Sequence, residues 1–182
     1  QAKMSHNVRM KEITFYSQSR LHATVAQIAA CADDLERHAS WPSESLERLA
    51  QVGVMSWGIA PEFGGQTVSA LTQTQFYLDC SRACLTTAFV LSQRNAALSR
   101  LNSSSNESLK QSILPDIASG KLFATVGISH LSTSRQHLRQ PAVLAEPTSQ
   151  GYRLNGSVPW ITGGLQADWV VTGGQLQDGR QI

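Results

Sequence analysis

Apolar side chains recur at helical spacing along the first two thirds of the chain. They fall at Leu21, Val25, Ile28, Ala29, Ala32 and Leu35, which makes one apolar stripe along an amphipathic helix. Ser40-Trp41-Pro42 breaks the pattern, and proline is well tolerated in a first helical turn. A second helix is predicted through Leu46, Leu49, Ala50 and Val52, stopped by Gly53 as a C-cap glycine stops a helix. Pro61-Glu62-Phe63-Gly64-Gly65 predicts a turn, because glycine accepts positive φ. Ser69 is an N-cap candidate for a third helix over 70–82. A fourth is expected over 84–101 and a fifth over 107–118, with a polar loop at Asn102 to Asn106 between them and Gly120 just past the end.

After Gly120 the periodicity changes. Leu122 to Ser129 carries β-branched and aromatic residues without a helical repeat. Thr133 to Gln140 is polar and predicts a loop. Ala142–Ala145, Tyr152–Leu154, Pro159–Thr162 and Trp169–Thr172 are short strand candidates between turn residues. Asn155-Gly156 predicts a hairpin turn, since both residues tolerate positive φ. That turn is expected to lead into Trp160-Ile161-Thr162 as a strand. Pro159 removes a backbone donor there, so this part of the strand is expected at an edge or a bulge. The chain thus divides into an all-helical part, residues 1–120, and the beginning of a β domain, residues 121–182. The second part has room for four or five strands and reads as unfinished, either as a fragment or as a sheet completed by another polypeptide.

Composition narrows the function classes. The chain has 182 residues, 41% of them hydrophobic, and a formal charge of +2. Its 15 basic residues are scattered rather than interleaved with aromatics, so no nucleic-acid face is expected. No apolar run approaches the roughly 20 residues that span a bilayer. Gln1 to Arg9 is polar and contains no secretory h-region. Cys31, Cys80 and Cys84 are an odd set, which argues against a disulfide framework. Cys80 and Cys84 share a helix face without a nearby histidine, so packed, reduced thiols are expected rather than a metal site. Reduced thiols fit a cytoplasmic protein. No Ser-His-Asp arrangement, metal cluster or phosphate-binding glycine loop offers a chemistry.

The candidate chemistry lies in Trp160-Ile161-Thr162: a flat apolar surface beside a hydroxyl, suited to a flat ligand with polar edges. Four stretches in order carry a resemblance. They are Leu49–Val54 followed by Ala60-Pro61-Glu62-Phe63-Gly64-Gly65; Ile113-Leu114-Pro115-Asp116-Ile117-Ala118-Ser119-Gly120; Gly151–Gly156 with Trp160-Ile161-Thr162; and Ala167-Asp168-Trp169-Val170-Val171. Over residues 20–182 the chain resembles the amino-terminal half of the acyl-CoA dehydrogenase family. The resemblance implies an α+β fold, with an all-helical N-terminal domain followed by the start of a β-barrel-like domain, and with the family's C-terminal helical bundle absent. It implies an FAD-dependent oxidoreductase acting on an acyl thioester. The cofactor-binding residues it implies are Ile128, Ser129, Trp160, Ile161 and Thr162. It also implies a small-molecule substrate (acyl-CoA or another), a homo-oligomer (dimer or tetramer) and an electron-transfer partner. The family's catalytic glutamate belongs to the C-terminal domain, so no catalytic residue is expected in this segment.

The chain departs from the family at two places. Where the family reads approximately Leu-(Thr/Ser)-Glu-Pro-x-x-Gly-Ser-Asp, this chain has Ile128-Ser129-His130-Leu131-Ser132-Thr133-Ser134-Arg135. Val158 stands where lysine is usual. The altered segment opens two alternatives: a flavin-dependent monooxygenase of the same fold, or a non-catalytic scaffold member. His130 reads either as an acid or base, since imidazole titrates near neutrality, or as a loop histidine at a strand end. His137 with Arg135 and Arg139 reads either as an anion contact or as a solvated loop.

Overall fold

The computed structural model describes residues 15–132 and 141–182. The predicted loop at Thr133 to Gln140, with Arg135, His137 and Arg139, lies outside the described residues.

Five helices form the first part: α1 (Phe15–Arg37), α2 (Ser43–Gln51), α3 (Ala70–Ala83), α4 (Leu85–Ser103) and α5 (Glu107–Ala118). α1 begins six positions before Leu21, where the apolar stripe starts. The caps explain the other boundaries. Ser69 Oγ accepts from Thr72 N–H at 3.0 Å and starts α3. Asn106 Oδ1 accepts from Leu109 N–H at 3.0 Å and starts α5. α3 and α4 are separated only by Cys84, which is extended (φ −157°, ψ 105°). Its Sγ accepts from the backbone N–H of Thr87 at 3.4 Å and from the Thr87 hydroxyl at 3.2 Å. A cysteine therefore does the work usually given to serine or aspartate at an N-cap.

Two packed clusters hold these helices. One joins Ile28, Leu49, Met55, Phe76, Cys80 and Leu91. The other joins Ala97, Leu98, Ile113, Leu114 and Ile117 with Ala124 and Val126. The last two belong to strand β1 (Ala124–Gly127), all four of whose residues are buried. The first strand is thus packed into the helical core.

β1 pairs in parallel with β4 (Trp169–Thr172), Ala124 opposite Trp169. β2 (Val143–Thr148) pairs antiparallel with β3 (Gly151–Gly156). A four-residue helix, α6 (Ser129–Ser132), follows β1. Ser129, expected at a strand end, instead opens α6.

Two expectations in this region are corrected. Asn155-Gly156 is not the hairpin turn: the two residues pair with Leu144 and Val143 inside the ladder, and the turn is at Ser149-Gln150. Gly156 serves a close approach instead, since a Cβ there would stand 2.1 Å from the Ala142 carbonyl oxygen. Pro159–Thr162 is not a strand either. It is irregular and runs into a turn over 162–166. Pro159 lacks the N–H that a ladder needs, and the segment is held by side-chain contacts to β1. Among the described residues no helix is long and apolar enough to cross a membrane.

Candidate functional site

Four of the five predicted site residues follow β1 or lie against it, and Trp160 is joined to them through Thr162. Ile128 and Ser129 follow that strand directly. Ile161 lies across it: a Cβ at Gly127 would stand 2.6 Å from Ile161 Cγ1 and 3.2 Å from Val158 Cγ1. Thr162 is fixed through its backbone, because the buried Thr125 hydroxyl donates to the Thr162 carbonyl at 2.8 Å. The irregular 158–162 segment is thereby seated on β1 by the apolar side chains of Ile161 and Val158 and by one hydrogen bond.

The turn after Thr162 is held from the helical side. Gly163 has φ +67°, and a Cβ there would stand 2.5 Å from the Trp41 ring. Trp41 meets Phe123 edge to face, with centroids 5.2 Å apart. Phe123 N–H donates to Asp168 Oδ2 at 2.8 Å, which anchors the approach to β4. Trp41 thus links the α1–α2 connection to the segment that carries Trp160 and Thr162.

Trp160 is 64% exposed, so it is not a core aromatic. Its indole N–H donates to Thr162 Oγ1 at 3.0 Å. An indole N–H only donates, so the Thr162 oxygen is the acceptor and its own hydrogen is free to point outward. Ile128 packs on the second core cluster and contributes bulk rather than a polar group. Ser129 Oγ is buried and has no hydrogen-bond partner among the described residues. A buried hydroxyl without a partner is uncommon and calls for an explanation. His130 is 8% exposed, and its Nε2 lies 3.0 Å from the Gly173 carbonyl oxygen.

Three shifted titrations lie in the helical core, and a fourth, exposed Asp178, is lowered by the backbone N–H of Arg180. Burial pushes the Cys80 thiol up to about 12, with Cys84 adding to the shift. Burial pushes Tyr77 up to about 12, with Arg94 opposing. Burial lowers Arg94 to about 10. Arg94 is 1% exposed and donates to the Met55 carbonyl and, at 3.1 Å, to the Ile117 carbonyl. It ties α4 to the end of α5, from which the chain enters β1. Sequence patterning missed it, because an arginine on a helix reads as a surface residue. A cavity of about 430 Å3 lies elsewhere, among Ile59, Phe63, Val68 and Lys110. Among the described residues no group of three His, Cys, Asp or Glu side chains could hold a metal ion.

An exposed indole, the threonine hydroxyl bonded to it and a buried serine hydroxyl without a partner among the described residues suit a flat aromatic ligand with acceptor edges. Residues 18–121 match the N-terminal domain of acyl-CoA dehydrogenase. The chain belongs to the acyl-CoA dehydrogenase family. It is 30% identical over 148 residues to the short-chain-specific acyl-CoA dehydrogenase of Clostridium acetobutylicum, covering 81% of this chain and 38% of that protein. It is 23% identical to the acryloyl-CoA reductase (NADH) of Anaerotignum propionicum, covering 80% and 37%. Among solved structures, acyl-CoA dehydrogenase complexed with FAD from Bacillus anthracis aligns with a TM-score of 0.75 at 20% identity, over 92% of this chain and 30% of that one. FMN-bound TdsC from Paenibacillus sp. A11-2 aligns with a TM-score of 0.77 at 16% identity, over 92% and 42%. The expected α+β family fold is the observed one. The chain spans well under half the length of these relatives.

The sequence pointed to the aromatic and hydroxyl positions of this family member and missed their supports. Gly127 carried a usable signal, because a glycine inside a strand marks a close approach. Thr125 and Trp41 carried none, since their partners are distant in sequence.

Proposed function

We propose that the full-length protein is an FAD-dependent oxidoreductase of the acyl-CoA dehydrogenase type, and that this segment supplies one wall of its flavin site. The observation that carries the reading is the seating of Ile161 on Gly127, which brings Trp160 and Thr162 to the strand end that carries Ile128 and Ser129. In this reading Trp160 offers its face to the ring system. Thr162 and Ser129 donate hydroxyl hydrogens to acceptor edges, and Ile128 and Ile161 exclude water beneath them. Bound FAD supplies the hydride-accepting chemistry. The group that removes the substrate proton lies outside these residues. We also assign to the whole protein an acyl-thioester substrate, a homo-oligomeric state, an electron-transfer partner and a cytoplasmic location. The three free cysteines fit the last of these. Residues 1–120 and 121–182 are proposed as its helical and β domains.

The test is anaerobic mixing of the full-length, flavin-loaded protein with acyl-CoA thioesters. Bleaching of the flavin band is expected. A second reading is favoured by His130-Leu131 standing where the family has Glu-Pro. In that reading the protein is a flavin-dependent monooxygenase of the same fold. It predicts no bleaching by thioesters, and oxygen consumption when a reductase supplies reduced flavin. A full-length protein that purifies colourless and binds no added flavin would support a non-catalytic scaffold instead.

A further inference from the structure

His130 is the most deeply buried polar side chain at the strand end. Its Nε2 lies 3.0 Å from the carbonyl oxygen of Gly173, the residue after β4. A carbonyl only accepts, so Nε2 carries the hydrogen and the contact fixes one tautomer. Nδ1 is then an acceptor if the ring is neutral. It is buried and has no partner among the described residues.

The neighbouring contacts give this bond a purpose. The Thr172 hydroxyl donates to the Gly127 carbonyl at 2.8 Å, tying the last residue of β4 to the last residue of β1. Gln181 Nε2 donates to the Leu131 carbonyl at 2.6 Å. Gly173 is closely packed, since a Cβ there would stand 2.1 Å from the Ile182 carbonyl oxygen and 3.1 Å from Leu131 Cδ1. The imidazole therefore spans from α6 to the backbone just beyond β4. Ser129, the residue before it, holds the buried hydroxyl that has no partner.

We propose that His130 is a positioning residue for the flavin wall: its Nε2–H strut to Gly173 sets the first turn of α6 and aims the Ser129 hydroxyl at the cofactor. This rests on the flavin reading given above. Glutamine can replace the strut, because its amide N–H can reach a carbonyl, whereas leucine fills similar space without a donor.

The test uses full-length protein stripped of flavin and titrated with FAD, followed by flavin absorbance and fluorescence. His130→Leu is expected to raise the Kd about tenfold, the value of one well-placed hydrogen bond. His130→Gln is expected to stay within about threefold of the parent. Circular dichroism and thermal melting of the flavin-free proteins report whether each variant folds. Parent-like FAD affinity in His130→Leu would overturn the strut. So would a folded His130→Gln that binds as weakly as His130→Leu. A parent protein that binds no flavin overturns the flavin reading and this inference together. Loss of the strut alone leaves the flavin reading standing, which separates the two failures.

Discussion

The indole N–H of Trp160 donates to the hydroxyl oxygen of Thr162 at 3.0 Å. One residue is large, flat and exposed; the other is small and fixed by its backbone to β1. Their bond orients both, so the wall is arranged before any ligand arrives. Preorganisation of this kind lowers the ordering cost of binding.

Trp160→Ala is expected to weaken FAD retention by roughly five- to tenfold, in line with about 1 kcal/mol for an aromatic contact. Because the side chain is mostly exposed, the melting temperature of the flavin-free protein is expected to change little. Flavin content after gel filtration checks the first point, and unchanged content would remove Trp160 from the site.

Gly127→Ala is expected to destabilise the protein by about 1–3 kcal/mol, because the added Cβ would press into Ile161. Ile161→Ala removes the obstructing atoms. In the double variant the two costs should add to less than their sum. A double-mutant cycle by urea denaturation measures that coupling. Strict additivity would show that Ile161 does not rest on Gly127 in solution.

Arg94→Met is expected to cost about 1–3 kcal/mol, since it leaves the Met55 carbonyl without its donor while the Ile117 carbonyl keeps the Gly120 N–H. Arg94→Lys is expected to rescue only partly, because a single ammonium cannot reproduce the guanidinium fork. Chemical denaturation of the full-length variants checks both. A loss below 1 kcal/mol would mean that the Met55 carbonyl finds water.

Alkaline stability carries the signature of Cys80. Its thiol is pushed up from 9.0 to about 12, so between those values the folded state holds a proton that the unfolded state has lost. The resulting stability is complete below pH 9 and is lost as pH rises toward 12. Tyr77, pushed up from 10.0 to about 12, acts in the same direction from a higher starting point. Arg94, lowered from 12.5 to about 10, acts oppositely above pH 10. Cys80→Ala should therefore flatten the decline that begins near pH 9, as measured by denaturant midpoints from pH 8 to 10. A decline of undiminished slope would remove the thiol from this role.

The helices were legible because their signals are local. An apolar stripe, a serine cap, a polar loop and a following glycine act over a few residues, and the observed ends of α3 and α5 follow them closely. The β region was legible in kind and less so in detail. Asn155-Gly156 has the chemistry of a tight turn, yet a tertiary contact at Ala142 uses Gly156 within a strand. The segment 159–162 has strand-like residues, yet Pro159 and the seat on Gly127 keep it irregular. At the candidate site Trp160 and Thr162 were singled out because their side chains state their chemistry. Trp41, Thr125 and Gly173 were not, because each acts through a partner far along the chain.

The parallel pairing of β1 with β4 also bears on the order of folding. Gly127 and Thr172 meet across 45 positions, and the hairpin, α6 and the Trp160 turn all lie in the interval. β1 is already part of the core made by nearby helices, whereas β4 must close a long loop to reach it, a slow kind of contact to form. In a refolding experiment the helical signal should therefore return first. The bond from Thr172 to Gly127 should become native only later, so the strand pair behind the wall is a late product of folding.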